Sequence, residues 1–339
     1  MQSRFDLTPK TTFQTRSVAE HFECVASLEE LKKALALARE KGLEVHLIGG
    51  GANTLARSFV PGLVIEMGIK GFEVRATEEG VKVDLGAGEV IDSVIERLVE
   101  RGLGGIENLS AIPGTVGGAV VQNIGAYGCE IGPFVESVRV YDPEADAVRT
   151  LSNAECRFAY RHSVFKEPEG RGLVILGVTL DMGDPEAWRP TTSYKAVEEV
   201  LRRDDVRAST LTPSDMRRIV IDIRRERIPD PARIGNAGSF FTNPIVPTAV
   251  WREVIEAHPT LVWYTIDEAR AKLGAGSLID QAGLKGYCGE RVGVHPDNAL
   301  ILVNLGEATG EDVLALKDMI VSRVEELYGV KLEMEPVVI

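Results

Sequence analysis

The chain has 339 residues, and its 38 Lys and Arg against 51 Asp and Glu give a formal net charge of −13. An acidic surface of this kind repels phosphate backbones and anionic headgroups, so we expect no nucleic-acid or membrane partner. Hydrophobic residues at 44% and charged residues at 26% are typical of a globular protein, and the length suggests two or three domains. Any anionic ligand must be held by a local cluster of cations.

The first third of the chain predicts short, alternating α and β elements. Ser27 and Glu30 form a candidate capping box, and the helix that they open should end at Gly42. A strand over residues 43–48 runs into the glycines that follow it. Further strands are predicted at 63–66 and 81–85, and a helix is predicted at 91–101. Residues 102–128 are rich in glycine and show little periodicity, so we expect an ordered functional segment without regular structure.

The rest of the chain predicts strands at 137–141 and 173–180, then a helix that begins after Thr212 with Pro213 in its first position. Two prolines after Ile228 end that helix, and we place a domain boundary there. Beyond it we expect helices at 249–258 and 310–328, a strand at 299–304 and a closing strand at 330–335. In that closing strand Glu333 and Glu335 should share one face.

Several observations bear on location and metal binding. The apolar runs are too short to span a bilayer, and the N-terminus lacks the apolar core of a signal peptide, so we expect a cytoplasmic protein. The four cysteines are far apart and include no Cys-x-x-Cys pair. Reduced thiols and no metal site are therefore expected.

Two glycine-rich segments are candidates for ligand binding. In Gly49–Leu55 a strand ends in three glycines, whose backbone N–H groups can converge on a phosphate. The spacing is neither a Rossmann turn nor a P-loop, and a glycine hairpin with no ligand is the alternative. The second segment, Asn108–Gly128, combines Pro-Gly and Gly-Gly steps with Ser, Thr and Asn donors. Two such segments suit a long ligand with two phosphates.

Three further segments carry residues that could act in catalysis. Arg161 lies in the cationic run Cys156–Lys166, which in most proteins would be a solvated face. Ser239 lies between Gly238 and two phenylalanines, which we expect to shield its hydroxyl partly from water. No Gly-x-Ser-x-Gly surrounds it, so a hydrolase triad is not indicated. The glutamates at 333 and 335 could share a proton, or their face could simply be wet.

Taken together, these residues resemble the UDP-N-acetylenolpyruvoylglucosamine reductase (MurB) family. The resemblance covers nearly the whole chain, from Gly49–Asn53 through Asn123–Gly128, Tyr160–Lys166 and Gly238–Pro244 to the segment that ends at Glu335. It also places the chain in the larger, type I subgroup, because Ser193-Tyr194-Lys195 matches the substrate-clasping tyrosine loop. The family more often has Gly than Lys after that tyrosine.

The resemblance implies an α+β fold. An FAD-binding module of the vanillyl-alcohol-oxidase (PCMH) type would comprise two α/β subdomains, at 1–72 (with the last few C-terminal residues) and 73–226. A C-terminal α+β substrate-binding domain would cover 227–339. FAD would be bound non-covalently, NADPH would be the co-substrate, and the partner would be a small nucleotide sugar bound by a monomer. The implied FAD-binding residues are Gly49, Gly50, Gly51, Ala52, Asn53, Thr54, Ser110, Pro113, Gly114, Gly117, Gly118, Asn123, Gly125 and Ala126.

The same resemblance implies roles for the reacting groups. Hydride would pass to C3 of the enolpyruvyl ether, and Ser239 would deliver a proton to C2. Arg161 would stabilise the substrate carboxylate, with Glu335 beside it; Glu333 does not match the family's glutamate. The substrate would be bound by Tyr127, Tyr194, Arg227, Asn243, Tyr264, Lys272 and Asn298. Arg227 stands where the family often has lysine.

Two other functions stay open from the sequence. The first is a related FAD-dependent oxidase or dehydrogenase of an alcohol or hydroxy acid, many of which attach FAD through a His or Cys in the first glycine loop. Residues 49–55 contain neither of these. The second is a non-catalytic nucleotide-sugar sensor, for which a proton donor such as Ser239 would have no use.

Overall fold

A computed structural model describes residues 1–339. The helices are α1 (Leu28–Lys41), α2 (Ile91–Val99), α3 (Val116–Gln122), α4 (Asn153–Cys156), α5 (Lys195–Arg203), α6 (Pro213–Arg227), α7 (Thr248–Ala257), α8 (Ala275–Gln281) and α9 (Gly310–Tyr328). The strands of the first half are β1 (Gln2–Asp6), β2 (Val18–Val25), β3 (Val45–Ile48), β4 (Thr54–Leu55), β5 (Phe59–Met67), β6 (Phe72–Thr77), β7 (Gly80–Gly86), β8 (Gly125–Ala126), β9 (Cys129–Glu130) and β10 (Val135–Asp142). The others are β11 (Ala147–Ser152), β12 (Val174–Gly183), β13 (Ile245–Pro247), β14 (Trp263–Thr265), β15 (Arg270–Leu273), β16 (Val292–Val294), β17 (Leu302–Asn304) and β18 (Val337–Val338). None of the helices combines the length and the apolar character that crossing a membrane requires.

The chain forms two compact units. Unit one comprises residues 1–4, 20–50 and 61–226, and unit two comprises residues 5–19, 51–60 and 227–339. The predicted boundaries after residues 72 and 226 concern functional domains and stay predictions. Each unit is described by itself below.

Unit one is built on a five-stranded sheet in the order β11-β10-β12-β7-β6, with neighbouring strands antiparallel. Helix α2 packs on this sheet because Ile91, Val94, Ile95 and Leu98 recur at helical spacing and are all fully buried. Helix α3 joins the same core through Val116, Ala119 and Val120. The glycine-rich segment that precedes and includes α3 is thereby fixed against the sheet.

A second sheet has the order β1-β2-β5-β3, with β3 parallel to β5. The predicted helix α1 is confirmed: the Ser27 side chain accepts a hydrogen bond from Glu30 N–H, and Gly42 ends the helix with φ 64°. Only glycine adopts that left-handed conformation without strain. The Glu30 carboxylate accepts a hydrogen bond from Ala26 N–H (2.7 Å), whereas a capping box would use the N–H of Ser27, the next residue.

The segment 102–128 differs from the expectation of no regular structure, because residues Val116–Gln122 form helix α3. Two glycines in seven residues lower the intrinsic helix propensity, which is why the pattern predicted none. Tertiary packing offsets that cost: a Cβ at Gly117 would lie 3.2 Å from Ala87 Cβ. The helix ends at Asn123, which has φ 45°.

Unit two has its core between the long helix α9 and the elements around it. Val313, Ile320 and Val324 are fully buried along one face of α9, whose predicted bounds are confirmed. Its N-cap, Thr309, forms a capping box with Asp312. A three-stranded sheet in the order β13-β15-β14 and the hairpin β16-β17 complete the unit.

The predicted strand over residues 330–335 is wrong as a regular strand. Only β18 is regular, and it pairs in parallel with β4. The residues before it are extended and make isolated contacts with residues 240–242, among them the Phe241–Met334 bridge. Glu335 is half-buried whereas Glu333 is exposed, so the two carboxylates do not share one environment.

Candidate functional site

In unit one the two glycine-rich segments touch each other. A Cβ on Gly49 would lie 2.2 Å from Thr115 Oγ1, and a Cβ on Gly50 would lie 2.9 Å from Gly114 Cα. Real side chains do not tolerate such distances, so glycine is required at both positions. The start of the first segment therefore lies against the middle of the second.

Thr115 carries a buried hydroxyl with no partner in the protein. The residue is 8% exposed, it precedes α3 without capping it, and its Oγ1 makes no hydrogen bond. A buried polar atom of this kind calls for a ligand or water that supplies the partner. A glycine-lined contact with an unpaired hydroxyl suits the phosphates of a dinucleotide. Thr115 was not among the predicted site residues, although it lies within the predicted segment.

The rest of the first segment, Gly51–Thr54, belongs to unit two. Gly51 has φ 62°, and a Cβ there would lie 1.9 Å from Lys10 O. Asn53 Nδ2 donates to Glu335 O (3.1 Å), and Asn53 O accepts from Val337 N–H (2.9 Å). These bonds tie the loop to the C-terminal segment that carries Glu335.

Other predicted FAD-binding residues in unit one have their side chains engaged within the protein. Ser110 Oγ donates to Glu107 O (2.6 Å). The Asn123 amide donates to Ala159 O (2.8 Å) and to Glu130 Oε2 (3.1 Å), and its Oδ1 accepts from Gly132 N–H (2.9 Å). These bonds shape the segment. Contact with FAD through Pro113, Gly114, Gly117, Gly118, Gly125 and Ala126 stays a prediction.

Arg161 is held in a defined conformation by its own motif. Its backbone has φ 54°, an uncommon left-handed value for a residue with a side chain. Lys166 Nζ donates to Arg161 O (2.9 Å), and Arg161 Nη2 donates to Gly125 O (2.8 Å). The buried Ser163 fastens the same turn, since its Oγ donates to Val121 O (2.6 Å). Ser163 and Lys166, the other polar residues of this motif, thus hold the turn that carries Arg161.

Ser239 and Glu335 lie close along the backbone of unit two. Phe240 N–H donates to Leu300 O (2.8 Å), and Glu335 N–H donates to Phe240 O (2.9 Å). Ser239 is exposed, so the predicted shielding by the phenylalanines is wrong. Phe240 and Phe241 are instead buried in the core at 0% and 1% exposure. Phe240, as the next residue of the extended chain, faces the opposite side from Ser239 and therefore does not cover the serine hydroxyl.

Six of the seven predicted substrate residues fall into three pairs, each within one unit. In unit one the rings of Tyr127 and Tyr194 meet edge to face, with centroids 5.3 Å apart. In unit two Tyr264 and Lys272 are directly opposite each other on β14 and β15. Asn243 Oδ1 accepts from Ala275 N–H (2.9 Å) at the start of α8.

The third pair of predicted substrate residues is Arg227 and Asn298. Asn298 Nδ2 donates to Arg227 O (3.2 Å), so the backbone of one predicted substrate residue is fixed by the side chain of the other. Overall, unit one collects Gly49, Gly50, the residues of 110–127, Arg161 and Tyr194, and unit two collects the rest of the predicted site.

Sequence reasoning missed Arg224, a half-buried arginine of α6 whose side chain hydrogen-bonds with that of Tyr127. Burial lowers the pKa of its guanidinium, and the interactions with Tyr127 and Asp92 oppose that change. Arg224 is thus a partly desolvated cation beside a predicted substrate residue. Nothing in the helical pattern of α6 separates Arg224 from the other arginines there.

Comparison with known proteins identifies two family models in the chain. A model described as FAD binding domain matches residues 19–151, and one described as UDP-N-acetylenolpyruvoylglucosamine reductase, C-terminal domain, matches residues 230–339. A solved structure of this reductase (MurB) from Thermus caldophilus is 27% identical, with a TM-score of 0.66, and the match covers 98% of this chain and 97% of that one. The predicted α+β fold with an FAD-binding module and a C-terminal domain is confirmed.

Curated relatives match along the full length. The UDP-N-acetylenolpyruvoylglucosamine reductase of Pseudomonas aeruginosa is 41% identical over 99% of this chain and 98% of its own length. The enzyme of the same name from Chromobacterium violaceum is 40% identical over 98% of this chain and 97% of its own. The chain therefore belongs to the UDP-N-acetylenolpyruvoylglucosamine reductase family.

Proposed function

We propose that this FAD-dependent reductase uses NADPH to convert UDP-N-acetyl-3-O-(1-carboxyvinyl)-glucosamine to UDP-N-acetylmuramate during peptidoglycan synthesis. The observation that carries the proposal is the 41% identity to a reductase of that name over 99% of the chain. FAD, when bound, would accept hydride from NADPH and pass it to C3 of the enolpyruvyl group. A cytoplasmic location, a monomeric state and a role in cell shape and division accompany the proposal and stay predictions.

The two glycine-rich segments would hold FAD. Gly49 and Gly50 lie close to Gly114 and Thr115, where side chains would not fit, and the unpaired Thr115 hydroxyl would donate to a phosphate oxygen. No His or Cys occurs between residues 49 and 55, which supports non-covalent binding. A family model for FAD binding over residues 19–151 supports the same assignment.

Ser239 would deliver the proton to C2. A serine hydroxyl is a weak acid, so its contribution depends on alignment with a strongly basic carbon. Backbone bonds on the following residue provide that alignment, because Phe240 is bonded on one side to Leu300 and on the other to Glu335. The exposed hydroxyl is accessible to a ligand in a way that a core serine would not be.

Arg161 and Glu335 would act on the charge that develops as hydride adds. Electrons pushed into the enolpyruvyl group delocalise onto its carboxylate, where a fixed guanidinium stabilises them. Lys166 and Gly125 fix the arginine before substrate binds, which reduces the reorganisation needed during reaction. We assign Glu335, not Glu333, because Glu335 is half-buried and its backbone is bonded to Phe240, beside Ser239.

The nucleotide end of the substrate would be bound mainly by Tyr264 and Lys272. The two side chains are paired across β14 and β15, where a ring and a cation together suit a uracil and a diphosphate. Asn243, Arg227 and Asn298 would extend this surface in unit two. Tyr127 and Tyr194, which belong to unit one, are further proposed substrate residues.

Anaerobic spectroscopy of the purified holoprotein tests the proposal. The protein should be yellow, lose its flavin absorbance when NADPH is added, and regain it when the enolpyruvyl sugar nucleotide is added. Bleaching without substrate-dependent recovery would point instead to a related flavin oxidase or dehydrogenase. A colourless protein that cannot bind added FAD would contradict any flavoenzyme function and favour a nucleotide-sugar sensor.

A further inference from the structure

Asn108 is a buried residue of unit one that joins two parts of the predicted substrate-binding surface. It is 1% exposed, and its Nδ2 donates to Tyr127 O (2.8 Å) and to Thr191 O (2.9 Å). Both partners are carbonyl oxygens, so the amide can face them only with its N–H groups. Its Oδ1 accepts no hydrogen bond. In this protein the Asn108 side chain therefore acts through its two N–H donors.

The first partner, Tyr127, is held in an uncommon conformation. Its φ of 48° lies in the left-handed region, which costs free energy for a residue with a side chain. The bond from Asn108 to its carbonyl helps to fix that turn. The Tyr127 ring is 9% exposed and meets the exposed Tyr194 ring edge to face.

The second partner, Thr191, leads directly into Tyr194. A neighbouring contact fastens the same stretch, since Trp188 Nε1 donates to Glu107 Oε1 (3.1 Å). Glu107 is itself buried, which raises the pKa of its carboxyl, and it also accepts from Gly105 N–H. Two adjacent residues, Glu107 and Asn108, thus anchor the segment that begins at Trp188.

We infer that Asn108 is a positioning residue for substrate binding, which sets the Tyr194 loop against the Tyr127 turn. This inference rests on the proposed function, in which both tyrosines contact the sugar nucleotide. The hydrogen bonds of Asn108 go to backbone carbonyls and not to either ring. Asn108 acts through the backbone of Tyr127 and of Thr191, on either side of the contact between the two rings. The loop is thereby ordered before the substrate binds, which reduces the entropy lost on binding.

The test compares Asn108→Leu with a matched control, Asn153→Leu, in the FAD-loaded enzyme. Asn153 is exposed, but its Nδ2 also donates to two carbonyls, Gly132 O (2.8 Å) and Val135 O (2.6 Å), so its loss removes a similar pair of bonds. For Asn108→Leu we expect the KM for the enolpyruvyl sugar nucleotide to rise about tenfold, because two hydrogen bonds that order the binding loop are lost. Flavin reduction by NADPH should change by less than about twofold, and the control should leave both unchanged.

A double variant shows whether the effect passes through the tyrosine. In a Tyr194→Ala background, Asn108→Leu should raise the KM no further, because the side chain that it positions is gone. Trp188→Phe, which removes the bond to Glu107 and keeps the bulk, is the second variant should Asn108→Leu fail to fold; it should raise the KM in the same direction. An unchanged KM in an active enzyme, or fully additive effects with Tyr194→Ala, would overturn the inference. Lack of wild-type turnover would instead count against the proposed function.

Discussion

At the scale of single residues, Thr115 links packing to cofactor binding. Its hydroxyl is buried, makes no hydrogen bond in the protein, and lies where a Cβ on Gly49 would have to go. Burying such a group without a partner costs about 1–3 kcal/mol. A phosphate oxygen of FAD could supply the partner, and the cost would then be recovered on binding.

Thr115→Val should therefore separate stability from affinity. We expect the FAD-free protein to be as stable as wild type or more stable, and the Kd for FAD to rise about tenfold with loss of one hydrogen bond to a charged group. Thermal melting of the apoprotein and a flavin titration measure the two effects. Thr179→Val, which removes a hydroxyl bonded to Asp84, is the control for affinity. Unchanged FAD affinity in Thr115→Val would remove the residue from the cofactor site.

Individual caps and glycines were predictable because they depend on local geometry. Gly42 follows from the end of an amphipathic pattern, and the start of α6 follows from Thr212 and Pro213, where Thr212 Oγ1 does accept from Asp215 N–H (3.2 Å). The exposure of Ser239 was not predictable in this way. Two aromatic neighbours suggested that the hydroxyl would be shielded. Whether they shield it depends on the direction of their side chains, which the sequence does not give.

At the scale of elements, a largely buried ion pair between Asp92 and Arg217 connects α2 to α6 within unit one. Arg217, 8% exposed, donates from Nη2 to Asp92 Oδ2 (3.1 Å), and Asp92 Oδ1 accepts from Ala111 N–H (2.6 Å). Burial alone would raise the pKa of the Asp92 carboxyl, but the bonds from Arg217 and Ala111 outweigh it and hold the pKa below its ordinary value. The carboxylate thus connects both helices to the second glycine-rich segment.

Asp92→Asn should destabilise the protein by about 1.5–3 kcal/mol near pH 7, because it removes the charged hydrogen bonds to the buried Arg217 guanidinium and leaves it only the longer contact with Glu96 (3.7 Å). A carboxyl with a lowered folded pKa stabilises fully above its ordinary value and loses that contribution as the pH falls through the folded one. The difference from wild type should therefore be constant near neutrality and shrink below about pH 4. Chemical unfolding followed by circular dichroism measures it.

The control for this pair is Asp222→Asn, which removes an exposed partner of Arg225 (3.7 Å) on the same helix α6. Exposed pairs contribute little, so we expect a change within about 0.5 kcal/mol. A difference for Asp92→Asn that grows in acid would contradict the assigned pKa direction.

The elements with strong periodicity were predicted well, and those with weak periodicity were not. Helix α9 matches because buried apolar residues recur along one face from Val313 to Val324, whereas α3 was missed because Gly117 and Gly118 lower helix propensity. Residues 330–335 alternate like a strand but form only isolated bridges. Their partner is the short segment Phe240–Thr242, which is not a regular strand. Tertiary contacts decided both cases.

At the scale of the whole molecule, short motifs far apart in the sequence are collected into two units. Unit one gathers the glycine contact at Gly49 and Thr115, the Arg161 turn and the edge-to-face pair of tyrosines. Unit two gathers Ser239, Glu335 and the Tyr264–Lys272 pair. The order of motifs identified the family, but the hydrogen bonds that orient each group, such as those from Lys166 and Asn108, could not be inferred from spacing.

The central chemical claim is that Ser239 protonates the substrate after hydride transfer. The most direct measurement follows the two half-reactions of Ser239→Ala separately by anaerobic stopped-flow absorbance. We predict that flavin reduction by NADPH keeps its wild-type rate, while reoxidation by the enolpyruvyl sugar nucleotide slows by roughly 10²-fold or more, as expected for loss of a general acid. Equal slowing of both half-reactions, or reoxidation at the wild-type rate, would contradict the claim.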